Sequence, residues 1–328
     1  MSIKKILVTG GCGFIGSHLV EHLVEKGYEV KAFDRYNSEN NWGWLEGSKL
    51  KGNFEVLLGD IRDFDSVYNA SKDCDSILHL AALIGIPYSY VSPLAYIKTN
   101  VEGVYNILEA SKMRSIANII TTSTSEVYGS GIEIPMNENH RLLGQSPYSA
   151  SKIAADQISI SYYRSFDLPV KIIRPFNTYG PRQSARAIIP TIFSQIYSNN
   201  KKISLGNLYS SRDFTFVSDM CSAFEKLLLC NKKQAYGNVF NVGSSQEITI
   251  KDLVEKIKNI TNKDLNVKTE KKRIRKKNSE VSRLKCDFSK FQELTNWKPK
   301  YSLNMGLKEF DIWLKSNLHL YKPNQYNV

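Results

Sequence analysis

The sequence predicts an α/β fold, a doubly wound parallel sheet with a smaller mixed α/β lobe attached. Two observations carry this expectation. Short apolar runs of strand length alternate with stretches of helical period through the first half of the chain, a pattern that builds a parallel sheet with helices on both faces. Glycines also cluster where the first such run gives way to the first helix. A length of 328 residues is enough for about two domains.

The elements follow in order. IKKILVTG (3–10) is β-rich, and GGCGFIGSHLVEHLVEKG (10–27) changes to helical period. Gly10, Gly13 and Gly16 mark the turn between them as G-x-x-G-x-x-G. Such glycines let the backbone approach a pyrophosphate closely, with the helix N-terminus facing its charge, so the unit reads as Rossmann-type. EVKAFD (29–34) is the second strand and ends in Asp34, placed where a carboxylate binds a ribose 2′-hydroxyl. That carboxylate repels a 2′-phosphate and favours NAD over NADP, although the neighbouring Arg35 could pair with one. FEVLLGD (54–60), SILHLAA (76–82), IANIITTS (116–123) and VKIIRP (170–175) are further strands. TNVEGVYNILEASKM (99–113) and YSASKIAADQISISYYRSF (148–166) are helices between them. In such folds ligands lie at the carboxyl ends of the strands, so the ends of these runs should share one rim.

Residues 1–174 are thus expected to form a cofactor-binding domain, joined by returning segments near 213–240, with 175–328 mainly a substrate-binding lobe. In that lobe NVFNVGS (238–244) reads as a strand, ITIKDLVEKIKNI (248–260) as a helix capped near Thr249, and FSKFQELTNWKP (288–299) as a helix and its stop. The terminal NLHLYKPNQYNV (317–328) is expected to be frayed or loosely docked.

The net charge of +12 is scattered, with one dense block, KKRIRKKN (271–278), read as a loop. Scattered lysines suit a solvated surface or a pull on small anions, and nucleic acid is not an expected partner. No run approaches the roughly 18 apolar residues of a membrane span, so no membrane partner is expected. No signal segment is recognised, and the five cysteines form no C-x-x-C pair, so a cytoplasmic protein with reduced thiols is expected. HLVEH (18–22) matches a zinc-protease pattern but lies on the first helix, so no metal is expected there. Trp42 and Trp44 could form a stacking platform, but a loop packed on the domain surface explains them better.

TTSTSEVYG (121–129) ends an apolar strand with hydroxyls and a carboxylate. Polar groups there must be satisfied or at work. SPYSASK (146–152) opens a helix with Ser146 as cap and Pro147 in the first turn, so Tyr148 and Lys152 share a face as i and i+4. An ammonium near a phenol is expected to lower its pKa and let it take a proton from an alcohol as hydride leaves.

At this point the chain resembles the extended short-chain dehydrogenase/reductases that act on nucleotide sugars. The resemblance rests on TGGCGFIG (9–16), GDIRD (59–63), HLAA (79–82), TNVEG (99–103), STSEVYG (123–129), YSASK (148–152), RPFNTYGP (174–181), RDFTFVSD (212–219) and NWKP (296–299). AALIGIPYSY (81–90), GQSPYSASKIAADQ (144–157) and NTYGPRQSARAIIPT (177–191) look most like nucleotide-linked N-acetylglucosamine 4,6-dehydratases of the legionaminic acid pathway. The resemblance implies NAD held by Gly10, Gly13, Phe14, Ile15, Gly16, Asp34, Asp60, Ile61, Leu80, Ala81, Ala82, Asn100, Tyr148, Lys152 and Pro175, with Asp60 and Ile61 at the adenine. It implies a sugar nucleotide held by Asn177, Arg186, Arg212 and Arg283, the last two at phosphate oxygens. It also implies a homodimer, through the 99–113 and 148–166 helices, whose Ile158, Ile160, Tyr162 and Tyr163 exceed what one sheet-facing stripe needs.

The roles implied are these. Thr124 binds the sugar 4-oxygen, Tyr148 is the base for C4 oxidation, Lys152 holds the nicotinamide ribose, and Glu126 removes the C5 proton so that water leaves from C6. Many relatives carry Asp-Glu where this chain has Ser125-Glu126, the Asp serving as acid for the departing hydroxyl. Thr-Ser-Glu occurs in GDP-mannose-type dehydratases and also in UDP-glucuronate decarboxylases. Decarboxylase, 4-epimerase and non-catalytic NAD-binding regulator are therefore the alternatives, and the residues do not choose between UDP and GDP; the resemblance leans to GDP.

Overall fold

The computed structural model describes residues 3–198 and 202–326. Through the first half, strands β1 (Lys5–Thr9), β2 (Glu29–Arg35), β3 (Glu55–Gly59), β4 (Ser76–His79), β5 (Asn118–Thr122) and β6 (Val170–Pro175) form as the apolar runs predict. Between and around them lie α1 (Phe14–Glu25), α2 (Phe64–Ala70), α3 (Ile86–Val91), α4 (Pro93–Tyr96), α5 (Gly103–Met113) and α6 (Pro147–Phe166). The second half contributes β7 (Asn177–Tyr179), α7 (Ile188–Tyr197), β8 (Lys202–Leu205), β9 (Ser211–Phe216), α8 (Val217–Leu229), β10 (Val239–Val242), β11 (Glu247–Thr249), α9 (Ile250–Thr261), β12 (Asn266–Thr269), α10 (Ser289–Thr295) and α11 (Leu303–Asn317).

The main sheet has seven parallel strands in the order β10-β6-β5-β4-β1-β2-β3. The chain runs one way from β1 to β3 and the other way from β4 to β10, so the switch point falls between β1 and β4. Helices α1 and α8 pack on one face, α2, α5 and α6 on the other. Strand β1 is apolar without alternation because both faces are covered: Ile6, Leu7 and Val8 are fully buried. The register sets Thr9, His79 and Thr121 side by side at the carboxyl rim.

The second lobe holds a three-stranded sheet, β11-β9-β7, and a parallel pair, β12-β8, with α7, α9 and α11 against them. The segment 217–242 returns to the first unit: α8 packs on α1 and β10 closes the main sheet beside β6.

Three expectations are corrected. The helix expected from 99 begins at Pro93, runs through a π-helical turn at Ile97–Glu102 and continues as α5. Ser92-Pro93 carried the start signal. The terminal segment docks rather than frays. Tyr321 is 8% exposed, and its hydroxyl donates to the Gln183 carbonyl at 2.7 Å. Of that segment, 327–328 lie outside the described residues. Finally, Tyr162 is buried with its hydroxyl on Glu109, and Ile158 and Tyr163 pack on the inner cluster, so these side chains are used within the chain. The apolar residues those helices leave exposed are Ile97, Tyr105, Met113 and Phe166.

Candidate active site

Backbone contacts shape the first part of the rim. Gly10 has φ +69°, and a Cβ there would lie 2.9 Å from the Ala81 amide nitrogen. A Cβ on Gly16 would lie 2.0 Å from the Gly10 carbonyl oxygen. Only glycine fits either place, and the β1–α1 turn is left bare. The first helical bond of α1 runs from Ser17 to Gly13, so the amides of Phe14, Ile15 and Gly16 face out of the helix end. These free donors, the bare turn and the helix dipole fit a dinucleotide pyrophosphate. Asp34 holds one carboxylate oxygen on the Cys12 amide at 2.8 Å and the other on the Arg35 amide at 2.7 Å. Asp60 is gripped by Arg62, which holds its carboxyl below the usual range. Ile61 packs under Gly103, and its carbonyl accepts from Asn106 at 3.0 Å.

Leu80 and Ala81 donate their amides to the Thr9 hydroxyl at 3.2 Å each. That hydroxyl also bonds His79 Nδ1 at 2.8 Å, and burial pushes this imidazole down to about 3. Ala82 follows at the same rim, and Pro175 ends β6 there. Asn100 lies in the π-helical turn. Its Oδ1 accepts from Leu83 and its Nδ2 donates to the Leu83 carbonyl and to Ser151. The amide is therefore spent inside the protein, where it ties the loop after β4 to the helix of Lys152.

The polar stretch after β5 turns sharply. Thr124 is extended and caps the 125–128 turn, accepting from the Glu126 amide at 3.3 Å. Ser125 is 2% exposed. Opposite, Ser146 and Ser149 form a capping box and Pro147 takes the first helical position of α6. This fixes Tyr148 in the first turn and Lys152 one turn later. Tyr148 is buried edge-on against Tyr96, with ring centres 6.1 Å apart.

The expected pairing of Lys152 with the phenol is not what the structure holds. The ammonium donates to the Thr122 carbonyl, and burial lowers Lys152 to about 8 against the opposing pull of Asp156. Burial pushes the Tyr148 phenol up. The Thr124 hydroxyl opposes this, and the Glu126 charge adds to it. The same Glu126 charge acts on Arg212 in the second lobe.

Below these groups lies a buried network that sequence reading missed. Asp156 Oδ2 accepts from Ser123 at 2.7 Å and from Arg174 at 2.8 and 3.0 Å. Arg174 also donates to the Tyr128 hydroxyl, which in turn donates to Asn241. Its signal was present: an arginine inside the buried strand VKIIRP, and an aspartate one turn after Lys152.

In the second lobe, Asn177 Oδ1 is buried with no partner among the described residues. Arg186 reaches across to Gly85, where a Cβ would lie 3.1 Å from its Nη1. Arg212 is 7% exposed and donates to the Ser211 carbonyl at 2.8 Å and to Glu280 at 3.4 Å. Arg283, expected at the phosphates, is instead 55% exposed and forked onto Glu247 at 2.6 and 2.9 Å. Its backbone forms the 283–211 bridge beside β9. The guanidinium beside Arg212 is that of Arg275, from the basic block read as a loop; its charge lowers Arg212 further after burial.

The remaining motifs have structural partners. His18 Nε2 bonds the Pro181 carbonyl and His22 Nε2 bonds Glu225. Trp44 packs on Trp313, and Lys51 lies over Trp42. All five cysteines are buried and free. Among the described residues, no helix is long and apolar enough to cross a membrane.

Comparison with known proteins agrees with this arrangement. The sequence pattern of the family described as GDP-mannose 4,6 dehydratase matches residues 7–310. A dTDP-D-glucose 4,6-dehydratase of Dictyostelium discoideum is 33% identical, over 96% of this chain and 82% of the relative. A UDP-N-acetyl-alpha-D-glucosaminuronate decarboxylase of Bacillus cytotoxicus is 31% identical, over 95% and 98%. The crystal structure of a dTDP-glucose 4,6-dehydratase from Bacillus anthracis, in complex with NAD, superposes with a TM-score of 0.85 at 30% identity, over 98% and 99%. Epimerases are also among the similar proteins. The chain therefore belongs to the NAD-dependent extended short-chain dehydrogenase/reductase family of nucleotide-sugar 4,6-dehydratases, with their epimerase and decarboxylase relatives.

Proposed function

We propose that this protein is a 4,6-dehydratase acting on a nucleoside-diphosphate N-acetylglucosamine, GDP-linked in preference to UDP-linked, and that its keto product serves legionaminic acid formation. The observation that carries the reading is a carboxylate, Glu126, on the turn capped by Thr124, whose hydroxyl acts on the Tyr148 phenol, since elimination needs a base near the oxidation centre. The β1–α1 turn would hold NAD, which would supply reversible hydride transfer, taken up from sugar C4 and returned at C6. Every other step belongs to this chain. Thr124 holds the 4-oxygen, and Tyr148 takes the proton of the C4 hydroxyl. Because burial raises the phenol, its ionisation depends on positive charge, and buried Lys152, one turn further along α6, is the chain's own source. The C4 ketone acidifies the C5 proton. Glu126 removes it and passes it to the hydroxide leaving C6, so that water departs, since Ser125 is buried and can act only as a relay. As hydride returns to C6, Glu126 delivers a solvent proton to C5, and Tyr148 releases to solvent the proton it took from the C4 hydroxyl. Asn177, with its unpartnered Oδ1, and Arg186 hold the sugar nucleotide. The fixed Asp34 carboxylate favours NAD over NADP.

The working form is a homodimer in the cytoplasm, built on the exposed Ile97, Tyr105, Met113 and Phe166 of the α5 and α6 side. Light scattering that finds a monomer at micromolar concentration would refute it.

The reaction is tested by incubating the holoenzyme with GDP- and UDP-N-acetylglucosamine and with UDP-glucuronate, then measuring mass. Loss of water from an N-acetylglucosamine nucleotide is the expected result; loss of CO₂ from the uronate makes it a decarboxylase, and no mass change an epimerase. In Glu126→Gln, elimination should slow by roughly 10²–10⁴-fold while C4 oxidation persists, so near-ultraviolet absorbance of bound NADH builds up. Dehydration at the parent rate in that variant would sink the mechanism.

A further inference from the structure

We propose that Arg182 is a positioning residue that fastens the sugar-nucleotide segment to the cofactor helix, so that bound NAD and bound sugar nucleotide strengthen each other. The proposal rests on the nucleotide-sugar reading above and adds to it a residue and a linkage between the two sites.

The chain from β7 to α7 carries Asn177 and Arg186, the residues proposed to hold the sugar nucleotide. The middle of this segment lies on α1. Arg182 Nη1 donates to the Ser17 hydroxyl at 3.1 Å and meets Glu21 Oε2 at 2.8 Å, while its Nη2 donates to Glu21 Oε1 at 3.0 Å. His18 Nε2 donates to the Pro181 carbonyl at 3.0 Å. Ser17, His18 and Glu21 share one side of α1, at helical spacing. The fork is no surface pair, because the Arg182 and Glu21 side chains are each only 17% exposed. A two-point charge-assisted contact fixes direction as well as distance. The backbone is the second sign. Arg182 has φ +70°, in the left-handed region. A residue with a side chain stays there only where its surroundings over-determine it. Glycine would hold this turn without strain, so what arginine adds is its side chain.

The tether reaches both sites. Ser17 is fully buried, its amide makes the first helical bond of α1 to Gly13, and its hydroxyl donates to the Phe14 carbonyl at 3.2 Å. Arg182 is thus bonded into the turn whose outward amides suit the NAD pyrophosphate. Toward the substrate, Asn177 Oδ1 and Gln183 Oε1 are buried acceptors with no partner among the described residues. Gln183 is itself held, its Nε2 donating to the Thr178 carbonyl at 2.8 Å and its carbonyl accepting from Tyr321 at 2.7 Å. A buried acceptor in that state is costly until a ligand brings a donor. A ligand that orders one end of a fastened piece lowers the cost of ordering it for a ligand at the other end. Such linkage is reciprocal. It also suits the proposed reaction, since hydride that leaves C4 and returns at C6 needs cofactor and sugar held together throughout.

The test is equilibrium titration of the full chain with UDP, GDP and dTDP, on NAD-loaded protein and on protein stripped of NAD. NAD affinity is measured with and without each nucleotide. In the parent, NAD should tighten one nucleoside diphosphate about tenfold, and that nucleotide should tighten NAD by the same factor. In Arg182→Gln the factor should fall to within about twofold of unity. NAD alone should bind this variant within about threefold of the parent, and the diphosphate should bind as weakly with NAD as without it. Arg182→Lys, which keeps charge but not the fork, should restore part of the factor. Arg182→Gly relieves the backbone and should still be uncoupled, which a role confined to the shape of the turn would not predict. Glu21→Gln breaks the same fork from α1 and should lower the factor as well. The proposal is overturned if the parent's factor lies within about twofold of unity, or if Arg182→Gln or Glu21→Gln keeps the parent's factor. A parent that binds no nucleoside diphosphate overturns the nucleotide-sugar reading, and the proposal with it.

Discussion

Arg174 and Arg212 are both buried arginines of the cleft, one in its floor and one in its roof. Arg174 is complete: Asp156 takes its Nε and Nη2, and the Tyr128 hydroxyl its Nη1. Arg212 donates to the Ser211 carbonyl at 2.8 Å and has one long contact to a carboxylate, Glu280 at 3.4 Å. Residue type and burial are the same, so neither separates scaffold from binding site. What separates them is whether the protein itself supplies the counter-charge. A buried cation with its partner built in holds the fold together. A buried cation with only a long carboxylate contact has room for an anionic ligand to complete its pairing.

The first way to break this comparison is at the floor. Arg174→Met strands the Asp156 carboxylate in the interior and should cost about 3–5 kcal/mol of unfolding free energy, read in urea. A loss below about 1 kcal/mol would mean that the floor pair is no more structural than the roof.

Next in size comes Asp213, beside Arg212 in sequence yet satisfied by Ser244 and the Cys286 amide. Burial raises this carboxyl to about 6 from 3.8. A raised carboxyl adds stability that is fully present below the unfolded value and is lost as pH rises through the folded one. Between pH 4 and 6 the parent should therefore lose about 2 kcal/mol relative to Asp213→Asn, measured by denaturant unfolding across that range. A flat difference across the range would refute the assignment.

The roof should behave in the opposite way to the floor. Arg275→Gln removes a charge that acts unfavourably on Arg212 and should unfold within about 1 kcal/mol of the parent. The smallest effect is expected at Arg283. Its forked pair with Glu247 is largely in water, so Arg283→Ala should cost about 0.2–1 kcal/mol and leave diphosphate titrations unchanged. A large loss of binding there would restore the role first expected of it.

These contrasts mark how far the sequence could be read. Features set by nearest neighbours were legible. The Gly10 turn and the Ser146-Pro147 start of α6 are local rules, and six apolar runs became six strands. Features set by distant partners were not. Nothing in VKIIRP says that Arg174 meets Asp156, eighteen residues back, because that contact needs β6 laid against α6. Arg283 was expected at the phosphates for a similar reason: nothing local in its sequence shows that it forks onto Glu247, thirty-six residues back. The π-helical turn at 97–102 shifts a helix face by a fraction of a turn, too little to disturb the apolar period that announced the helix. The phenol's direction of shift was misread because spacing shows that Lys152 lies one turn from Tyr148 but not that its ammonium is spent on Thr122.

One oxygen ties the two halves of the chemistry together. Asp156 Oδ2 stands on the same helix as Tyr148 and Lys152, and it grips Ser123, the residue before Thr124. The proton-moving groups of the 124–126 turn and those of the helix are therefore geared to one axle, with Arg174 as its bearing. Thermal motion can swing the assembly as a whole, but it leaves little play between the teeth. For a reaction that must oxidise, deprotonate and reduce one sugar in succession, that lack of backlash keeps each group in reach as its turn comes.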